Sequence, residues 1–341
     1  MSLPLIDISP FLDSSSTPET LQSIADKIHT ACRTTGFFYL TGHGVPVAEQ
    51  SQILSTTRAF LVDGTDAEKE ALSITTNDHA RGYQRIGDNV TGGKADWHEA
   101  LDLYAPSPFA VNEKDKVLAG QNIFPSRPAE FQSVVENWVQ RMCALGLVVM
   151  RATAMGLKMS LSETEDLLDQ VRTSFWVLRC IGYPPLPSTH DGVSCGAHKD
   201  YGCFTFLHAD STKGSLQVYV PKDAHEQDPE YHWIEANPIE GAFVVNIGEM
   251  WETWTNGLYK ATLHRVIHKS DNYRISVPFF YEPAFDAIVA PLPAAVNLQQ
   301  HLQGKTQVEI TKQAVKYGDF LINKVGGNFS SSPKGPTRDR Y

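Results

Sequence analysis

A chain of 341 residues with 42% hydrophobic and 20% charged side chains is long enough to bury a sizeable core, and its composition excludes general disorder. The formal net charge of -10 argues against non-specific nucleic-acid binding and against a polybasic membrane patch. The five cysteines, Cys32, Cys143, Cys180, Cys195 and Cys203, are odd in number and form no C-x-x-C pair, so they read as thiols of a reducing compartment. Metal ligation by Cys195 or Cys203 is the minor alternative. Met1 to Asp7 lacks a basic segment followed by an apolar one, and the most apolar stretch, Met142 to Met155, is broken by Gly146 and Arg151. Neither a secretory signal nor a spanning helix is expected, and the protein reads as cytoplasmic.

In chain order, Leu3 to Ile8 is expected to be a short strand, and Pro18 opens a helix to about Thr34 with Leu21, Ile24, Ile28 and Ala31 on one face. Gly36 to Leu40 reads as a strand closed by the turn-rich Thr41 to Pro46, and Val47 to Leu61 as a second helix. Residues 75–97 read as loop, with a short strand at Gly82 to Gln84. A long helix is predicted over Pro128 to Gly156, because Phe131, Val134, Val135, Trp138, Met142 and Leu145 keep a helical rhythm. A shorter one covers Ser162 to Val171.

The pattern then changes to short apolar runs between turns. Strands are expected at Ser174 to Tyr183, Cys203 to His208, Leu216 to Val220, His232 to Ile234, Ala242 to Asn246, Thr262 to Ile267 and Ile275 to Phe280. Many short strands of this kind predict a barrel or jelly roll, so the fold class is mainly β with flanking helices (α+β). A helix near Gln307 to Asn323 is expected to pack back on that core, and Ser330 to Tyr341 reads as a loose tail. No segment marks a linker, so residues 1–341 are expected to form one compact unit.

The chemistry lies in three short motifs. In Gly196-Ala197-His198-Lys199-Asp200-Tyr201-Gly202, side chains two apart on an extended chain share a face, so His198 and Asp200 can reach one metal ion. Thr262-Leu263-His264-Arg265-Val266 can supply a second imidazole, although His268 shares that strand face. Two His and one carboxylate on one side of a metal leave three positions open, the arrangement of non-haem Fe(II) oxygenases. In Arg274-Ile275-Ser276 a guanidinium and a hydroxyl again face the same way, which suits a carboxylate. Tyr183, before Pro184-Pro185, can add a further hydroxyl.

With these segments in this order, the sequence resembles the isopenicillin N synthase-like family of Fe(II)/2-oxoglutarate dioxygenases over nearly its whole length. Further matching segments are Leu5-Ile6-Asp7, Gly36-Phe37-Phe38-Tyr39, His43-Gly44-Val45, Leu216-Gln217-Val218, Asn246-Ile247-Gly248 and Trp254-Thr255-Asn256-Gly257. The resemblance favours His264 over His268, because the family ligand usually precedes Arg-Val. It implies an N-terminal α/β region over 1–160 and a distorted double-stranded β-helix (jelly roll) core over 174–285. It further implies Fe(II) held by His198, Asp200 and His264, and 2-oxoglutarate held by Arg274, Ser276 and Tyr183. With O2, such a site would oxidise a C–H bond of a small molecule and release succinate and CO2. Lys199 stands where Thr is common, with its side chain expected to point away from the metal.

The segments Arg81 to Val90 and Ala95 to Ala100 resemble a subgroup with a Gly-Tyr motif and an Asp-x-x-Glu segment. Were they to line the mouth, Arg81, Tyr83 and Arg85 would meet a polar or anionic substrate. Arg179 is the best candidate for a substrate carboxylate, against a structural salt bridge. Three rival readings remain at this point: a family oxidase that does not consume 2-oxoglutarate, an ethylene-forming enzyme, and a non-catalytic sensor on the same fold. The partner is a small molecule, and no feature specifies an oligomeric state.

Overall fold

A computed structural model describes residues 2–74, 80–107, 118–223 and 230–328; the tail expected at 330–341 lies outside them. The first half of the chain carries β1 (Leu5–Asp7), α1 (Pro18–Thr34), β2 (Phe37–Thr41), α2 (Val47–Asp63), α3 (Asp66–Glu70), β3 (Gly82–Gln84), β4 (Val90–Thr91), β5 (Lys94–Ala95), β6 (Glu99–Tyr104), α4 (Phe131–Gly156) and α5 (Leu161–Asp169). The second half carries β7 (Val177–Tyr183), β8 (Cys195–His198), β9 (Phe204–Ala209), β10 (Leu216–Pro221), β11 (Tyr231–Glu235), β12 (Phe243–Ile247), α6 (Glu249–Trp254), β13 (His264–Val266), β14 (Arg274–Tyr281), β15 (Ile288–Val289), α7 (Pro293–Gln303), β16 (Val315–Lys316) and α8 (Tyr317–Asn328).

The strands form two main layers. The larger sheet runs β1-β2-β12-β9-β14-β7-β6-β3, and a smaller one runs β11-β10-β13-β8. Only β1 and β2 pair in parallel among the named strands; the other ladders are antiparallel. Side chains alternate across a strand, so each strand of the larger sheet contributes to two cores. One face of this sheet, with Leu101, Leu178, Cys180, Phe206, Val277 and Phe279, packs on α1, α2 and α4. The other face, with Ala100, Ile181 and Tyr183, meets Leu216 and Val218 of the smaller sheet.

Local chemistry explains the helices. Thr17 caps α1 by accepting from the Thr20 N–H, Pro18 occupies its first turn, and Ile24, Ile28, Ala31 and Cys32 are buried. Reciprocal capping boxes start α3 (Thr65 with Glu68) and α5 (Ser160 with Glu163). Long α4 buries the six residues that set its rhythm. Its Gly146 lies against the Tyr281 ring, where a Cβ would come within 2.5 Å, so the missing side chain lets helix and sheet close. Among the described residues, no helix is long and apolar enough to cross a membrane.

Several expectations need correction. The helix expected at Gln307 to Asn323 begins only at Tyr317 and runs to Asn328, and a further helix, Pro293–Gln303, precedes the expected range. Strand β6 falls in a stretch given no element, and β8 is a short strand ending at His198 that leaves Asp200 just beyond it. Residues 75–79 of the expected 75–97 loop lie outside the described residues, and the rest contains the small β4–β5 hairpin besides β3.

Candidate active site

The smaller sheet puts the two imidazoles together. His264 on β13 stands directly opposite His198 on β8, and the ring centroids are 4.3 Å apart. Their Nε2 atoms lie 3.5 Å (His264) and 3.7 Å (His198) from Asp200 Oδ1. Each ring is oriented by its other nitrogen: His198 Nδ1–H donates to the Gly196 carbonyl at 2.8 Å and His264 Nδ1–H to the Thr262 carbonyl at 3.1 Å. That arrangement orients both rings and turns both Nε2 atoms toward Asp200.

Asp200 is held just as firmly. Its Oδ2 accepts from Thr205 Oγ1 at 2.5 Å and Asn246 Nδ2 at 2.6 Å, so Oδ1 is the oxygen turned to the imidazoles. Thr205 on β9 and Asn246 on β12 are register partners, which brings both donors to one point. Burial would raise the Asp200 carboxyl, yet the two histidines and these hydrogen bonds bring it below the usual carboxylate range. Burial pushes His264 down to about 4, so its imidazole is neutral at pH 7. Three converging atoms from two imidazoles and one carboxylate, none hydrogen-bonded to another, fit a divalent first-row metal ion.

His268 is excluded from this set. Its Nε2 meets the Asn272 carbonyl at 2.7 Å and its Nδ1 lies 3.4 Å from Ser215 Oγ. Lys199 points away from the triad, with Nζ 3.0 Å from Glu252. Cys203 is buried in the helix-side core, whereas Cys195 Sγ lies 3.9 Å from His198 Nδ1, on the ring edge remote from Asp200.

On the larger sheet, Arg274 of β14 is the register partner of Tyr183 of β7, and its guanidinium carbon sits 5.0 Å from the centre of the tyrosine ring. Ser276, two residues on, shares that face. Arg274 is buried, and its Nε and Nη1 have no hydrogen-bond partner among the described residues. A buried cation with unused donors is costly unless an anion completes it.

The loop residues proposed for the substrate are placed elsewhere. Arg81 is fully buried, and its guanidinium donates to the carbonyls of Ala105 (2.7 Å) and Leu118 (2.8 Å). Tyr83 donates to Glu99 on the helix side of the sheet, and Arg85 is an exposed ion-pair partner of Glu70. Each of these three side chains is thus bonded to protein acceptors in the structure. Arg179 is different. Its Nε donates to Asp102 Oδ1 at 2.8 Å, but its two Nη groups have no partner among the described residues, and its side chain keeps 19% exposure. It shares a strand face with Ile181 and Tyr183.

Sequence reasoning missed the supports. Asn246 lies in a segment that matched the family, but its role needed the β9–β12 register. Asp102 and Gln84, which bond each other at 2.5 Å and form the Asp102–Arg179 unit, lie on β6 and β3. A jelly roll with a two-histidine, one-carboxylate site beside a buried, unpaired arginine defines a metal-dependent oxygenase that takes an anionic co-substrate.

Two family models match the chain: the non-haem dioxygenase in morphine synthesis N-terminal family over residues 3–127, and the 2OG-Fe(II) oxygenase superfamily over residues 172–283. The chain is 36% identical to a homoarginine-6-hydroxylase of Oryza sativa subsp. japonica and 37% identical to one of Arabidopsis thaliana, each match covering 96% of this chain and 98% of the relative. It is 32% identical to a 2-oxoglutarate-dependent dioxygenase of Trichoderma harzianum over 82% of this chain and 84% of that one. Among solved structures, a full-length Neurospora crassa protein in complex with alpha-KG and thymine superposes with a TM-score of 0.77 at 24% identity, covering 95% of this chain and 96% of that one. JOX2 in complex with 2OG, Fe and JA superposes with a TM-score of 0.72 at 26% identity, covering 98% and 87%. The chain therefore belongs to the isopenicillin N synthase-like family of Fe(II)/2-oxoglutarate-dependent dioxygenases. It is an oxidoreductase that uses Fe(II), 2-oxoglutarate and O2 on a small molecule, and its relatives favour this over the rival readings.

Proposed function

We propose that the protein hydroxylates a free amino acid with a cationic side chain, homoarginine or a near analogue. Homoarginine-6-hydroxylases matched end to end stand among its named relatives, which supports the substrate class. The observation that carries the co-substrate half is the buried Arg274 with two unused donors, a site that needs a carboxylate.

Fe(II), 2-oxoglutarate and O2 together supply the oxidation that turns C–H into C–OH, with succinate and CO2 released. The chain's own residues supply position. His198, Asp200 and His264 hold the metal through Nε2, Oδ1 and Nε2. Arg274 takes the distal carboxylate of 2-oxoglutarate through its planar fork, with Ser276 and Tyr183 donating their hydroxyls. Tyr183 also lays its ring against the guanidinium and keeps water from it. Arg179 presents its two Nη groups to the substrate carboxylate, while Asp102 clamps Nε and sets the fork's plane. The reaction belongs in the cytoplasm, in keeping with five free cysteines.

The test measures succinate release from 2-oxoglutarate with homoarginine, arginine, lysine and uncharged amino acids, together with product mass. Homoarginine-dependent succinate and a product heavier by one oxygen are expected. Succinate release that ignores every cationic amino acid but responds to another small acid would sink the substrate class and leave the enzyme class standing.

A further inference from the structure

Beside the iron triad, a second set of metal-type ligands converges. Asp96, His98 and Cys195 each offer one ligand atom within 4.8 Å of the others, and all three residues are buried. As in the triad, none is hydrogen-bonded to another. We infer that these three side chains form a second, separate site for a divalent cation of the zinc or cobalt kind.

Two observations on the ligands carry this. His98 Nδ1–H donates to the Ser194 carbonyl at 3.3 Å, which turns the lone pair to Nε2, and that buried Nε2 has no partner among the described residues. The ring is 2% exposed. Asp96, also 2% exposed, accepts from the Gly196 N–H (3.0 Å), Asn89 Nδ2 (2.5 Å) and Thr91 Oγ1 (2.7 Å), all neutral donors. No Lys, Arg or His side chain pairs with it among the described residues. Buried charges are normally paired or bound to metal, and Asp96 lacks the first.

The donor set selects the ion. A thiolate, an imidazole and a carboxylate suit a borderline-soft ion of tetrahedral habit, with one position left for water. On binding, Cys195 gives up its thiol proton to solvent and the metal takes the sulfur lone pair. The fold places the site between the end of the β4–β5 hairpin, the residue before β6 and the start of β8. It lies behind His198, across the ring from the triad, because Cys195 Sγ approaches Nδ1 while Nε2 faces Asp200. The two ions would therefore be neighbours with no shared ligand.

Anaerobic titration of the full-length apo-protein with Co2+ tests this. Two equivalents are expected to bind, one of them with the near-ultraviolet charge-transfer band of thiolate-bound cobalt. That band should disappear in Cys195→Ser, need about tenfold or more cobalt to appear in His98→Ala, and persist in His264→Ala, which cripples the triad alone. Cys195→Ser changes one atom and keeps the packing, so it remains informative if His98→Ala misfolds. A single equivalent without the band would overturn the inference, as would a band that survives Cys195→Ser. A band lost in His264→Ala but kept in His98→Ala would show Cys195 joining the triad's ion, and would overturn it as well.

Discussion

The larger sheet carries buried charge on both of its faces, and the two faces treat it differently. On the helix side, Glu99 receives Lys69 Nζ at 2.8 Å, Tyr83 at 2.5 Å and Tyr273 at 2.5 Å, while Lys69 also reaches the Leu61 carbonyl. Every charge there has protein partners. On the opposite face, Arg274 keeps two buried donors unused, Asp200 turns one oxygen to no hydrogen-bond donor, and Arg179 closes only its Nε. Burial alone therefore does not mark function in this molecule. Between these two groups of charged side chains, the difference is whether the charge is matched by a protein counter-ion, as Glu99 is by Lys69, or left open, as at Arg274.

The largest expected effect is on the open side. Asp200→Ala should abolish both Fe(II) retention and turnover, read as bound iron and as the visible band of the Fe(II)–2-oxoglutarate chelate. Arg274→Ala should weaken 2-oxoglutarate binding by about 100-fold or more, the scale of removing one partner of a buried ion pair. Its thermal stability without ligand should hold or rise, since an uncompensated buried cation is removed. A clear loss of stability there would mean that Arg274 belongs to the scaffold.

Glu99→Gln should do the reverse. It leaves Lys69 buried without its counter-ion, at a cost of about 3 to 5 kcal/mol in urea unfolding, while 2-oxoglutarate affinity stays within a factor of about two. A weakened co-substrate affinity at equal folding would erase the distinction between the faces. Arg179→Lys falls between them. It keeps a charge near Asp102 but loses the fork, so KM for the amino-acid substrate should rise about tenfold, with KM for 2-oxoglutarate unchanged. Equal rises in both would place Arg179 on the co-substrate.

The smallest effect concerns Glu282, a buried carboxyl with one hydroxyl partner, Tyr317 at 2.6 Å. Burial raises it to about 8 from 4.5, more than the Tyr317 hydrogen bond lowers it. The folded state therefore holds this proton more tightly than the unfolded chain does. Its contribution is fully present below pH 4.5 and is lost as pH rises through about 8. Melting temperature should fall across that window, and the fall should be shallower in Glu282→Gln. An identical pH slope in the variant would remove Glu282 as its source.

This contrast explains what the sequence made legible. His198, Asp200, Arg274 and Ser276 stand two apart on extended chain, a spacing that reports a shared face before any partner is known. His264 and His268 could not be separated by spacing, because both sit on one strand face; the partners of His268, Ser215 and Asn272, decide it. The face that Tyr83 takes was not legible, because a three-residue strand does not announce which side meets the helices; its register with β6 decides it. Strand β6 escaped notice because Glu99 and Asp102 mimic a solvated stretch, while each is neutralised by a residue far along the chain, Lys69 and Arg179.

The order of strands in the larger sheet has a consequence for synthesis. On the ribosome, β2 emerges with its apolar Phe37-Phe38-Tyr39-Leu40 run, yet its antiparallel neighbour, β12, is translated only in the last third of the chain. Until Phe243 to Ile247 leave the exit tunnel, that edge stays open to pairing with other chains. Nascent chains stalled before Phe243 should therefore depend on chaperones for solubility, whereas chains released beyond β14 should not.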